Sequence, residues 1–171
     1  MERLWAPWRM EYILDEKPDG CIFCRGRDGD DDRKSLILHR TPCSLVMMNR
    51  YPYVNGHLMV APRQHTGSLQ DLAPEELLDL MEATCLCQTI LDGEMHPGGY
   101  NIGINLGSAA GAGIADHLHV HIVPRWQGDT NFMTVLGDVR VLPEALVIQY
   151  DRLLSLFAER VKCDHATVIV A

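Results

Sequence analysis

A chain of 171 residues, 47% of them hydrophobic, suits one domain with a sizeable core and is short for two. Its net charge of −8 argues against a protein that grips nucleic acid through a basic face, but not against a small anionic substrate in a locally positive site. No stretch approaches the ~18 consecutive apolar residues of a membrane span, so no membrane partner is expected. The opening residues lack the apolar region of a secretory signal. The expected location is cytoplasmic, where the six cysteines are free or metal-bound rather than disulfide-paired.

In chain order, residues 1–20 carry Trp5, Pro7, Trp8 and Tyr12 and read as a docked N-terminal segment. Asp, Arg and Gly crowd 25–34, which reads as an exposed, solvated loop. Residues 45–49 and 57–61 read as two strands, joined by turn chemistry at 51–56. Pro74, Glu75 and Glu76 open a helix, since proline suits the first helical position and acidic residues the first turn. Leu77, Leu80, Met81, Thr84 and Cys85 continue it at helical spacing. Gly93 is expected to stop it, and Ala73 is a poor cap. A third strand is predicted over 101–105, a loop of small residues over 107–113, a fourth strand over 117–123 and a second helix over 143–161. Without strict alternation of strand and helix, the pattern favours an α+β fold with an antiparallel sheet.

The fourth strand is the most informative. His117, His119 and His121 alternate with Leu118, Val120 and Ile122, so a strand places the three imidazoles on one face and the aliphatics on the other. Neighbouring histidines then sit ~6.5–7 Å apart. A solvent-exposed imidazole face is one reading, a catalytic metal site a second. The third is a nucleophilic imidazole whose neighbours position the reaction. Cys21 and Cys24 form a CxxC pair, compatible with a redox couple, a disulfide or half a zinc site. A redox couple would be expected near a βαβ unit, which is not apparent, and half a zinc site needs two more ligands, for which His65 and His117 are candidates. Cys43, Cys85, Cys87 and Cys163 have no ligand spacing. His39, His96 and His165 lie in loop or terminal stretches and are not expected to be catalytic. The loop 107–113 has almost no side chains, so its amides could approach a phosphate, although no Walker A signature follows.

The whole pattern resembles the histidine-triad family. The His-x-His-x-His stretch carries the resemblance, together with Asn49-Arg50, Gly56-His57 and the apolar run ending Ala61-Pro62. Leu4-Trp5-Ala6-Pro7-Trp8-Arg9, Pro124-Arg125-Trp126 and the stretch from Gly128 to Met133 look like the bacterial branch related to diadenosine tetraphosphate phosphorylases and hydrolases. The resemblance implies an antiparallel sheet of about five strands with two main helices, in a homodimer. It implies one domain over 1–171, with a core at 21–133 and a C-terminal helical extension at 134–171.

The same resemblance makes His119 the nucleophile that attacks the α-phosphate of a nucleotide, with His121 and His57 completing the site. Asn49, Asn105, Gly111 and Gly113 match substrate-binding positions. Arg125 and Trp126 are read equally as substrate contacts or as a surface salt bridge and a packed ring. Zinc-bearing members, and the related hexose-1-phosphate uridylyltransferases, imply structural zinc on Cys21, Cys24, His65 and His117. No redox cofactor is implied. The expected activity is nucleotidyl hydrolysis or transfer on dinucleoside polyphosphates. A metal-dependent hydrolase using the three histidines, and a nucleotide-binding protein with vestigial catalysis, are the alternatives.

Overall fold

A computed structural model describes residues 20–129 and 144–168. The two early tryptophans and residues 131–133 lie outside the described residues. In order come α1 (Ile22–Asp28), α2 (Asp32–Ser35), β1 (Ile37–Arg40), β2 (Ser44–Met48), β3 (Leu58–Pro62), α3 (Pro74–Met95), β4 (Gly99–Ile104), β5 (Val120–Arg125) and α4 (Leu146–Val168), with short 3-10 turns at Leu69–Asp71 and Ser108–Ala110. The five strands form one sheet in the order β1-β2-β3-β5-β4, antiparallel throughout. The α+β expectation is met.

Strand periodicity splits the core in two. Val46, Met48, Leu58, Val60, Val120 and Ile122 face one way, where Leu80, Cys87 and Leu91 of α3 and Tyr150, Leu153 and Phe157 of α4 cover them. Met47, Met59 and Ala61 face the other way and join Phe23 and Ile37. Both helices predicted from the sequence therefore lie on one side of the sheet. The opposite side is left for α1 and the histidines. Every residue of β2 and β3 is buried, which is why these two strands read as unbroken apolar runs.

Several boundaries moved. Residues 25–34 are not a simple exposed loop. Phe23 is fully buried under α1, and Arg40 gathers the end of that helix by donating from Nη2 to the Gly26 carbonyl at 2.8 Å. The Asp31 carboxylate caps α2 by accepting from the Lys34 amide at 2.9 Å. The charge run hid two short helices because most of its charged side chains are exposed, and the aromatic that anchors α1, Phe23, lies just before it. The α3 helix starts at Pro74 as expected, and Glu76 supplies the cap that Ala73 cannot, accepting from the Ala73 amide at 2.8 Å. It runs through Gly93 to Met95 and ends at His96, whose φ is 45°. A glycine inside a well-packed helix lowers stability without ending it. The second long helix is Leu146–Val168 rather than 143–161, with Pro143 outside the described residues. Among the described residues, no helix is long and apolar enough to cross a membrane.

The most consequential difference concerns the predicted strand 117–123. Ladder pairing begins only at Val120. The Leu118 amide instead donates to the Thr66 carbonyl at 2.7 Å, and the His117 carbonyl accepts from a side chain described below. The Leu118 amide and the His117 carbonyl thus find their partners outside the sheet, yet the alternation is kept. Leu118 joins the helix-side core, and the rings of His117 and His119 lie against Phe23 on the other side.

Candidate active site and metal cluster

Two constellations meet at His117–His119. The first is built from Cys21 and Cys24 at the start of α1, His65 in the loop after β3, and His117. Their ligand atoms all lie within 4.8 Å of one another. His117 Nδ1 lies 3.1 Å from Cys21 Sγ, 3.6 Å from Cys24 Sγ and 3.1 Å from His65 Nδ1, and Cys24 Sγ lies 3.3 Å from His65 Nδ1. Donors bonded to zinc at ~2.0–2.3 Å in a tetrahedron sit ~3.3–3.8 Å apart, close to these separations.

Other contacts prepare the cluster for a cation. His117 is 1% exposed, and its Nε2 donates to the Pro62 carbonyl at 2.9 Å, which leaves the Nδ1 lone pair aimed at the thiols. Burial holds the His117 imidazole below its usual pKa, so it stays neutral. Burial and the neighbouring Cys21 push the Cys24 thiol up, a penalty that a divalent cation reverses. Gly67 makes the geometry possible. A Cβ there would lie 2.6 Å from the Ala115 carbonyl oxygen, so only glycine lets the His65 loop approach the segment leading into His117.

The second constellation is a chain of imidazoles with defined tautomers. His119 Nδ1 donates to the His117 carbonyl at 3.0 Å, so its Nε2 holds the lone pair. The Tyr53 amide donates to His57 Nδ1 at 3.1 Å. His57 Nε2 therefore carries the proton and donates to His121 Nδ1 at 3.0 Å. His121 in turn keeps its own proton on Nε2. The His119 and His121 rings meet edge to face, 4.7 Å between centroids. Burial holds His119 below its usual pKa. Burial, then the nearby His119, push His121 down to about 4.

The remaining candidates separate by position. Asn49 sits beside this chain, its amide nitrogen 3.4 Å from both ring nitrogens of His57 and its carbonyl accepting from the Tyr51 amide at 2.9 Å. Asn105 follows directly after β4, one residue beyond the Ile104–Val120 pair, where the register leads toward His119. Gly111 and Gly113 lie in the exposed loop 107–113. The Ala110, Gly111 and Ala112 amides bond back to Ser108 and Gly107 carbonyls within that loop, so the loop closes partly on itself. Arg125 pairs with Asp129 and donates to Asn101 Oδ1 at 2.8 Å, while Trp126 Nε1 donates to the Met95 carbonyl at 3.1 Å. These are the salt bridge and packed ring, at the far end of β5 from His121.

Sequence reasoning missed Phe23, whose ring centroid lies 4.9 Å from that of His117 and 4.8 Å from that of His119. Its place inside the CxxC pair was the available signal. It also missed Tyr53, 4.6 Å from His57 between ring centroids, which carries no periodic signature. The three histidines of the motif turn to three different sets of partners. Among the described residues, the only group of His, Cys, Asp and Glu spaced for a metal is Cys21, Cys24, His65 and His117.

The chain has relatives among known proteins. The chain is 36% identical over 154 residues to an AP-4-A phosphorylase of Mycobacterium tuberculosis, spanning 85% of this chain and 79% of the relative. It is 36% identical over 95 residues to an asymmetrical bis(5'-nucleosyl)-tetraphosphatase of Schizosaccharomyces pombe, covering 56% of this chain and 52% of the relative. A zinc-bound histidine triad family protein from Mycobacterium smegmatis superposes with a TM-score of 0.67 at 27% identity, covering 84% of this chain and 97% of that one. The HIT domain family model matches residues 31–128, which hold the sheet, α3 and all three motif histidines, and on these grounds the chain belongs to the HIT family.

Proposed function

We propose that this protein is a nucleotidyl hydrolase or transferase acting on dinucleoside polyphosphates, with His119 as nucleophile. The observation that carries the reading is the fixed tautomer of His119. Its Nδ1–H is held by the His117 carbonyl, so Nε2 presents a lone pair. In the first step Nε2 attacks the α-phosphorus. A P–N bond forms, the bond to the bridging oxygen breaks, and its electron pair leaves with the nucleoside polyphosphate as a stable anion. Positive charge then develops on the imidazole, and the Nδ1–H bond to the His117 carbonyl strengthens as it does. His121 is neutral and offers its Nε2–H as a hydrogen bond to the phosphate, while His57 fixes its orientation. In the second step an acceptor oxygen attacks the same phosphorus and the P–N electron pair returns to Nε2. Inorganic phosphate as acceptor yields a nucleoside diphosphate. Water yields the monophosphate and releases a proton to solvent.

Asn49 and Asn105 flank this path as substrate contacts, and the loop carrying Gly111 and Gly113 approaches the polyphosphate. Cys21, Cys24, His65 and His117 would hold zinc. When bound, zinc supplies a structural tie between α1 and the segment carrying the nucleophile, and no chemical step. A CxxC pair kept as metal-binding thiols is favoured in a reducing compartment, which supports a cytoplasmic location. The acidic balance supports a nucleotide rather than a nucleic acid as partner.

A homodimer completes the reading. β4 is an edge strand with Ile102 42% exposed, and α3 exposes Leu78 and Met81. An uncovered apolar edge is a pairing template, suited to a second copy across a two-fold axis.

Diadenosine tetraphosphate with radiolabel at the α-phosphate is the test. The expected result is a labelled protein adduct that is absent in His119→Ala, with turnover lost by at least about 10³-fold. ADP plus ATP in the presence of phosphate identifies phosphorolysis, and AMP plus ATP identifies hydrolysis. Full activity in His119→Ala would overturn the mechanism.

A further inference from the structure

His57 is one of the most enclosed polar groups in the protein, 1% exposed, and its ring position depends on the turn that precedes it. Gly56 has a φ of +79°, and a Cβ there would lie 2.8 Å from Met95 Sδ and 3.1 Å from Pro124 Cγ. The chain at this point is wedged between the end of α3 and β5. Packing alone leaves the Gly56 amide without a backbone partner in the sheet, and the partner it takes comes from a distant element.

Gln149 on α4, 1% exposed, accepts from the Gly56 amide through Oε1 at 2.9 Å. Its own Nε2 donates to Glu144 Oε2 at 3.1 Å, and the same carboxylate oxygen accepts from Arg152 Nη2 at 2.6 Å. Asn55, the residue before Gly56, donates from Nδ2 to the Glu144 carbonyl at 3.1 Å. A buried glutamine with both ends of its amide engaged has one orientation. It transmits that orientation to the residue adjoining His57. The helix that supplies it lies beyond residues 31–128, the part of the chain that the HIT domain matches.

We infer that Gln149 is a positioning residue for the His57–His121 pair, so that α4 is part of the catalytic apparatus and not only a cover for the sheet. The inference rests on the proposed role of that pair in nucleotidyl transfer. Gln149 holds the Gly56 amide, Gly56 sets the entry into β3, and that entry places His57 Nε2 3.0 Å from His121 Nδ1. A displacement of about 1 Å at His57 breaks this bond and frees His121 to rotate away from the phosphate.

Gln149→Met tests it in the full-length protein, since methionine keeps the volume and removes the acceptor. The side-chain Nε2–H of His57 is followed by nitrogen–proton NMR, alongside kcat and KM for diadenosine tetraphosphate. The expected result is loss or marked broadening of the His57 resonance. A fall in kcat of about tenfold or more should accompany it, with KM within about twofold of the parent. Glu144→Ala, which releases the far end of the glutamine, gives a smaller change in the same direction if Gln149→Met does not fold. An unchanged resonance or an unchanged kcat, even with a lowered melting temperature, reduces Gln149 to a packing role and overturns the inference. His119→Ala run in parallel separates the two ideas. It should abolish turnover and keep the His57 resonance, and activity in that variant would overturn the nucleophile while the NMR result still decides Gln149.

Discussion

Each of the three motif histidines is defined by what its second nitrogen touches. His117 turns one nitrogen to Pro62 and the other to the cysteines, His119 leans on the backbone of His117, and His121 accepts a hydrogen bond from His57. Alternation in the sequence predicts a shared face, and nothing in it predicts three tautomers. The pH behaviour follows from His121. Its folded pKa, pushed down to about 4 by burial and by His119, lies below the ~6.5 of an unfolded imidazole. Between those values the unfolded chain binds more protons, so this group's contribution to stability is intact above pH ~6.5. It is lost progressively as pH falls toward 4. Urea midpoints should therefore drop from pH 7 to pH 5, and His121→Asn should flatten that drop. An equal slope in the variant would contradict the assignment.

Among the elements, α1 buries little of its own and yet touches both constellations. Seven residues bury one aromatic, Phe23, which lies against both His117 and His119. Phe23→Ala should cost about 3–5 kcal/mol in chemical denaturation, the range for a buried aromatic truncated in place. Metal should matter at the same scale. Purified protein is expected to carry about one equivalent of zinc, and a strong chelator should lower the melting temperature. Cys21→Ser should bind no zinc and show no response to the chelator. A Cys21→Ser protein that melts and responds as the parent does would remove the proposed tie. The charge run at 25–34 reads as a loop because short helices carry too few periodic positions to register. Here a buried phenylalanine, an Asp31 cap and the Arg40 guanidinium hold them.

At the scale of the whole molecule, both long helices cover one face of the sheet and leave the other to α1 and the imidazoles. The outer edge at β4 is the surface proposed for a second copy. Ile102→Lys places a charge on that edge and should shift the protein to a monomer in light scattering, with the fold retained by circular dichroism. A dimer that survives the substitution would move the interface elsewhere. The helix α4 is tied to the rest at several points. Tyr150 donates to the Ile37 carbonyl at 2.9 Å, Arg33 pairs with Asp151, and Gln149 holds Gly56. Its amphipathic character is visible in the sequence, but its reach into the His57 turn is not.

Patterns that repeat along the chain carried the local reading. Apolar runs marked β2 and β3, helical spacing marked α3, and the alternation at His117–Ile122 separated an imidazole face from an aliphatic one, because each follows from a periodicity of the backbone itself. The CxxC pair and the motif histidines pointed to both constellations for the same reason, as short spacings of reactive side chains. Only the tertiary structure decided where the sheet pairing starts. The Thr66 carbonyl that draws Leu118 out of the ladder lies 52 positions away. It alone joined Gln149 to Gly56, and it supplied the contacts of His65 with Cys24 and of His57 with His121, which the sequence only grouped as candidates. These are hydrogen bonds between groups far apart in sequence, chosen by the packing of whole elements, and no local pattern encodes them.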